Sequence, residues 1–440
     1  MAKFREVHLV TGHKVSKIVI FSIILFIFFN LFLFATDARM GGLGVETWMI
    51  NNDDMLMNLF PAQVINYQDE IEFGAINETA YINYTMAEYI FSAGINNYTL
   101  ETAKPSLLNT DFFNGDNYSK YTASDNVSAY IVPTKSFYIA IARQLMSDAV
   151  IALKFCGARA ADNGSGVTKS DLDSFYYSDG NRLSQDYNLT LGLTVKDFLD
   201  IGVTAGIPYA KNSGIVNYTS DMDVTLPNMN ELMEYNYGIY GKVNARVVLS
   251  WLVIEASYTA ISEQISDLQQ EDGDNDGLFN SSGDINYQYN SSYRDYEMSG
   301  GAAANFKMTD SISSIAGISV NYIFNDIYKR LYDQNNMFLW ESEEFCTDMF
   351  TVPVYFAVED RINENITWRA GLKQVVFANK FGCNIDYTIN PYNLTNFTAP
   401  VLLNTTFSSG LSYSIGNITL DGVITMGYGL TSEISGKLKF

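Results

Sequence analysis

Residues 189–209 read LTLGLTVKDFLDIGVTAGIPY. Leu189, Leu191, Leu193 and Val195 alternate with Thr190, Gly192 and Thr194. Lys196-Asp197 reverses the chain, and Leu199, Ile201, Val203, Ala205, Ile207 and Tyr209 then alternate with Asp200, Gly202, Thr204 and Gly206. Successive side chains of a strand point to opposite faces, so the stretch predicts a hairpin with one apolar and one polar face. The alternation returns in Ile312, Ala316, Ile318, Val320, Tyr322 and Phe324, and in Ile418, Leu420, Gly422, Ile424, Met426 and Tyr428. In water such faces need a second layer to cover them. In lipid they need none, provided the sheet closes and leaves no unpaired edge. The pattern predicts an all-β protein: a transmembrane, antiparallel up-and-down β-barrel whose polar face lines a wet lumen.

Further tight turns fall near Met146-Ser147-Asp148, Leu249-Ser250, Thr309-Asp310, Asp360 to Asn363 and Gly416-Asn417. Between them run polar stretches, Cys156 to Asp186, Ala210 to Glu234, Ser262 to Asp295, Asn325 to Asp348 and Ala378 to Val401, which read as long loops on the opposite rim. Short turns on one rim and long loops on the other are the habit of outer-membrane barrels. Tyr209, Tyr258, Tyr428, Trp251 and Trp368 near strand ends are candidates for interfacial girdles. Backwards from Phe440 the pattern gives strands down to Phe137. Ile71–Ile76, Tyr81–Thr85 and Tyr89–Ile95 are candidates for more. With both termini periplasmic the total is even, which sets about 14 strands as the expectation and 16 as the next.

The chain begins with a basic leader, Lys3, Arg5, Lys14 and Lys17 against Glu6, ahead of an apolar block from Ile18 to Phe34. This is the layout of a secretory signal, with cleavage expected after Ala35; an uncleaved anchor is the alternative. The expected division is a signal peptide at 1–35, a segment distinct from the strands at 36–68, and the barrel at 69–440. Removing the leader takes the formal charge from −22 to −25. So acidic a chain has no field for nucleic acid. With 47% hydrophobic and 14% aromatic residues it also has too much apolar surface for a disordered tail. The two histidines, His8 and His13, both lie in the leader. Ser-His-Asp hydrolysis and His-ligated metals are therefore outside the mature chain's means, no catalytic residue is expected, and the protein is read as no enzyme. Cys156, Cys346 and Cys383 lack CxxC spacing. One pair, Cys346–Cys383, is open to an oxidising compartment, and so is no pair at all.

Residues 36–66 carry a glycine-rich run, Asp37-Ala38-Arg39-Met40-Gly41-Gly42-Leu43-Gly44-Val45, then Asn51-Asn52-Asp53-Asp54, then Asn58-Leu59-Phe60-Pro61-Ala62-Gln63. Here the chain resembles the superfamily of the outer-membrane long-chain fatty-acid transporter and the type nine secretion shuttle barrels. Those proteins open with an Ala-Arg, Met-Gly-Gly-Gly-like segment, an acidic step and Asn-Pro-Ala; here two residues separate Asn58 from Pro61. The resemblance implies a plug or hatch packed inside the barrel from the periplasmic side, marked by Arg39, Gly41, Gly42, Gly44, Pro61 and Ala62; an amphipathic periplasmic linker without a gating role is the alternative. The apolar Trp48, Met49, Met55, Leu56, Met57, Leu59 and Phe60 equally call for cover. The end of the chain is similar to the assembly signal of such barrels, with Gly436, Leu438 and the terminal Phe440. That implies the barrel-assembly machinery as a partner, beside outer-membrane lipid.

Two further constellations merit positions. Asp272, Asp274 and Asp276, with Gly277 and the Leu278 carbonyl, have the spacing of the first half of an EF-hand loop, but Gly283 stands where its bidentate Glu belongs. Calcium is thus the one metal in view, against a plain acidic loop; no other cofactor is expected. Lys242, Arg246, Arg369, Lys373, Lys437 and Lys439 alternate with apolar neighbours and should face the lumen, either as a basic lining behind acidic loops or as partners for the plug. The functional expectation is a bacterial outer-membrane channel or transporter, passive, for small or apolar solutes. The alternative is an accessory barrel, structural or secretory, whose extracellular loops bind a partner protein. A secreted soluble β-sandwich is the third.

Overall fold

The computed structural model describes residues 38–51, 53–74, 79–97, 133, 135–162, 166–169, 173–220, 229–231, 234–271, 285–332, 338–385, 394–399, 405–427 and 430–440. The leader, the Asp272–Leu278 loop and Tyr428 lie outside them.

The barrel strands are β1 (Glu70–Gly74), β2 (Ala80–Met86), β3 (Tyr89–Asn97), β4 (Lys135–Met146), β5 (Ala149–Asp162) and β6 (Asp173–Val195). They continue with β7 (Leu199–Ser220), β8 (Glu234–Leu249), β9 (Leu252–Glu271), β10 (Ile285–Lys307) and β11 (Ile312–Tyr332). The last five are β12 (Phe338–Arg361), β13 (Ile366–Ile385), β14 (Thr405–Ile415), β15 (Ile418–Met426) and β16 (Leu430–Lys439). Each pairs antiparallel with the next, and β1 pairs with β16 from Glu70↔Lys439 to Gly74↔Ser435. The seam is finished by the Phe440 amide, which donates to the Asp69 carbonyl at 2.9 Å. Among the described residues the barrel strands number sixteen, the second of the two expected counts: all three amino-terminal candidates pair. Two of them, at 5 and 7 residues, are too short to show a face by periodicity.

Alternation sets the two faces. Leu189 and Leu191 of β6, Ile207 of β7, Ile239 of β8, Ile318 of β11 and Leu411 of β14 are exposed outward, while Thr190, Thr194, Asp200 and Ser412 are buried inward. Outward aromatics sit near the short turns: Trp251 stacks on Phe306 with ring centroids 6.4 Å apart, and Trp368 is exposed beside the β12–β13 turn. Tyr258 is also exposed, and Tyr209 is half-buried. The turns stand where the sequence put them; Asp197 and Ser250 take left-handed backbone, φ 56° and 55°, as tight hairpins favour.

The long polar loops are a correction. Most of Cys156 to Asp186, Ala210 to Glu234, Ser262 to Asp295, Asn325 to Asp348 and Ala378 to Val401 is paired strand. β10 and β12 thus reach 23 and 24 residues, where a bilayer needs about 9–11. A strand wet on both faces has no reason to alternate hydrophobicity, so its Tyr-, Asn- and Ser-rich sequence reads as loop. In this extension β12 and β13 bring Cys346 and Cys383 to facing register positions.

Two expectations test this architecture. Leu191→Arg, on the lipid belt, is expected to destabilise the barrel by about 2–4 kcal/mol in urea unfolding from lipid vesicles. Facing positions of an antiparallel pair lie about 4.5–5.5 Å apart at Cα, inside the range of a disulfide. Peptide mapping without reductant is expected to recover Cys346 and Cys383 on one cross-linked species; two separate peptides would defeat the expectation.

Candidate functional site

The segment from Ala38 to Asn66 folds inside the barrel as α1 (Ala38–Leu43), a 3-10 turn (Thr47–Met49), α2 (Leu56–Leu59) and a second 3-10 turn (Pro61–Asn66). None of these pieces is long enough to bury itself, so their apolar residues use the wall. Leu43, Val45, Trp48, Met49 and Ile50 pack on Val253, Ala303, Ile315, Tyr355 and Ala357. Met57, Ala62, Val64 and Tyr67 pack on Tyr81, Ile90, Tyr138, Ala142, Val150 and Ala152. The closest approaches are made at glycine. A methyl added at Gly192 would meet the Ala62 nitrogen at 2.9 Å, and one at Gly301 would meet the Trp48 ring at 2.6 Å. In the plug itself Gly44 has φ +59°, and its missing side chain leaves room for Ser408. Gly42 faces Gly410, and Pro61 and Ala62 are buried against the wall. Gly41 lies within α1.

Polar contacts fix the register of plug against wall. Arg246 of β8 donates to the Ile50 carbonyl at 2.9 Å and forms an ion pair with Asp200 at 3.0 Å. Gln63 donates to the same Asp200 at 2.6 Å. Asn305 donates to the Met49 carbonyl at 3.1 Å, and Tyr355 donates to Glu46. Arg39 reaches Glu359 at 3.2 Å and Asp53 at 3.4 Å. Near the seam Lys437 of β16 lies 2.5 Å from Asp54, 3.0 Å from Glu72 and 3.8 Å from Glu70. Tyr81 is within hydrogen-bond distance of all three carboxylates. These acids are the one cluster of metal-ligand type among the described residues, and the Lys437 ammonium already sits in it.

Of the six bases named in the sequence, Arg246, Arg369 and Lys437 are paired with carboxylates. Arg369 meets Glu359 and Asp421 at 2.7 and 2.6 Å, Lys373 lies over the Tyr355 ring, and Lys242 lines the cavity described below. Lys439 is exposed at the closing seam, facing Glu70 in register. Of the terminal assembly residues, Gly436 and Leu438 are half-buried in β16 and Phe440 is exposed. Asp200, Glu359, Tyr355 and the receiving glycines are functional residues the sequence did not single out. The available signal was a lone charged residue on an otherwise small, polar face.

Within the plug, burial and then the adjacent Asp54 carboxylate push Asp53 up to about 7, against the pull of Arg39. Burial works against the ionised Asp54 as well, yet its hydrogen bond to Glu72 and the Lys437 ammonium hold it below the usual aspartate range. Burial disfavours the Arg39 charge, but Glu359 and Asp53 together raise it.

Beside the plug lies a cavity of ≈ 320 Å³. Its floor includes Met55, Asn58 and Leu59 of the plug, and its walls are residues of β3 to β8, among them Asn96, Lys154, Asn188, Thr204 and Asn244.

Closed barrel, apolar belt and internal plug define the class: a plugged transmembrane β-barrel. No protein-family model and no curated protein matches the sequence. Among solved structures the chain is similar to the CymD monoaromatic hydrocarbon channel, at 10% identity and TM-score 0.42 over 92% of this chain and 98% of that one. It is also similar to the Ralstonia pickettii toluene transporter TbuX, at 12% and 0.39 over 94% and 100%. A Pseudomonas aeruginosa FadL homologue follows, at 10% and 0.40 over 93% and 98%. At these scores the likeness carries no inference about what passes through this barrel.

Two expectations follow for the plug. Arg246→Ala leaves a buried Asp200 without its cation, which costs about 3–5 kcal/mol. Amide exchange over residues 47–66 is expected to accelerate while the barrel still migrates as a folded, heat-modifiable species. The second concerns pH. Between the ordinary aspartate value and about 7, docked Asp53 keeps a proton that a released, hydrated Asp53 gives up. Docking therefore weakens as pH rises through about 7. Asp54 acts oppositely, favouring docking above the ordinary aspartate range and losing that contribution as pH falls below it. Exchange over 53–60 is expected to be slower at about pH 5.5 than at about pH 8, after correction for intrinsic rates.

Proposed function

We propose that this chain is a passive channel of the bacterial outer membrane for small or apolar solutes, with residues 38–66 as its plug. One observation carries the reading: a closed sheet, apolar outside and polar inside, holds the plug by side-chain contacts, with a cavity at its flank. Such a wall matches a hydrocarbon layer outside and water within. The plug meets the wall through pairs that separate without breaking any strand, so it is suited to shift or leave while the barrel persists. The reading assigns no reaction and no catalytic residue.

Planar-bilayer recording tests it. The full chain is expected to give small or intermittent conductance, and deletion of residues 38–66 to give larger, steady steps. Silence from both proteins, with the barrel shown folded by heat-modifiable migration, would sink the channel reading.

The height of β6 to β13 supports a second reading. Seven of these eight strands have 20 residues or more, all but β8, and raise a paired wall beyond the bilayer, a surface suited to a partner protein. Cross-linking on intact cells that recovers one stoichiometric protein at this wall would favour an accessory barrel over a channel.

A further inference from the structure

We propose that the cavity beside the plug binds a small, uncharged, hydrogen-bonding solute of the sugar or polyol class. The inference rests on the channel reading and narrows it. The first observation is a row of polar side chains across three strands. Thr190 faces Thr204 in the β6–β7 register, and Thr204 faces Lys242 in the β7–β8 register. All three line the cavity. The threonine hydroxyls lie 2.9 Å apart. That contact consumes one of their two protons, so the pair keeps a donor and spare lone pairs.

The second observation is on the plug side. The Asn58 carbonyl oxygen accepts from Asn96 at 2.9 Å and from Lys154 at 3.2 Å, which fixes the orientation of its amide. Its NH2 group is thereby directed towards the Met55 sulfur at 3.7 Å. A thioether is a weak acceptor, and a solute oxygen replaces it to advantage. Plug and wall thus offer donors and acceptors across one gap.

The size and sign of the cavity limit its occupant. Its ≈ 320 Å³ is near the lower end of ligand pockets, which span about 300–1,000 Å³. It equals the space of about ten water molecules. Lys242 and Asp186 both line it, so charges of both signs are present, and Tyr240 donates to Asp186 at 3.3 Å. Lys154 lines it as well, so the bases outnumber the acid, and a lining with charges of both signs suits a solute that donates and accepts hydrogen bonds at once. A hydrocarbon would displace water from these groups without replacing its hydrogen bonds. Each group so stranded weakens binding by about tenfold. A polyol satisfies donors and acceptors together.

Two readouts test this: uptake of radiolabelled glucose by proteoliposomes holding the full chain, against protein-free liposomes, and potassium chloride conductance in planar bilayers. Wild type is expected to pass glucose. The isosteric double variant Thr190→Val, Thr204→Val is expected to lower glucose flux about tenfold while leaving conductance within the error of wild type. Heat-modifiable migration confirms that the variant barrel is folded. Conductance without glucose flux in wild type would overturn the solute class and leave the channel standing. Equal loss of both readouts in the variant would also overturn it, by showing that the threonines merely seat the plug. Failure of both readouts in wild type removes the channel reading and this inference together.

Discussion

The rest of the structure depends on one set of backbone hydrogen bonds, those between β1 and β16. Inside a hydrocarbon layer an unpaired strand edge has no water to bond, and each free amide or carbonyl costs several kcal/mol (roughly, as for transfer to an apolar solvent). Five register pairs from Glu70↔Lys439 to Gly74↔Ser435 remove that edge. Once the edge is gone, the outward leucines and isoleucines need no second layer, and the inward face is free to be polar. Glu70 and Glu72 of β1 and Lys437 of β16 also bring their charges together at this seam, where Asp54 of the plug joins them. Closure of the barrel and docking of the plug therefore share one locus.

The plug is stabilised by two unlike means. Its apolar residues are buried against small or flat wall residues, which supplies most of the non-directional attraction. Its placement is directional: Arg246 holds a plug carbonyl and Asp200 together, while Arg39 spans from α1 to Glu359. Buried pairs of this kind add little net stability over an apolar substitute, but they penalise wrong registers heavily because a misplaced charge is left unpaired. The glycines of the wall act in the same sense by admitting the plug backbone only at particular heights.

A plug that fills only part of the lumen leaves its flank lined by polar side chains of both partners. The Asn58 bridge to Asn96 and Lys154 ties the cavity floor to the wall. Occupancy of the cavity and position of the plug are consequently linked, since a solute that competes for Asn58 acts on a contact that also anchors the segment.

Much of this was legible along the chain. The period-two stripes from Leu189 to Tyr209 and from Ile418 to Met426 needed only strand geometry and the chemistry of lipid. The tight turns followed from the breaks in those stripes, and the segment bearing Trp48, Leu56 and Phe60 declared a need for cover. The upper halves of β9 to β13 were not legible, because a strand with water on both sides carries no periodic signal. Nor was the strand count, because β1 and β2 are too short to display one. Sequence by itself determined that the chain alternates between an apolar and a polar face and where its tight turns fall, since these depend on neighbouring residues only. The tertiary structure alone decided which acid meets which base, that Asp200 is shared by Arg246 and Gln63, and that Thr190, Thr204 and Asn58 converge on one cavity. Those residues are far apart in the chain, and their meeting is fixed by register and closure.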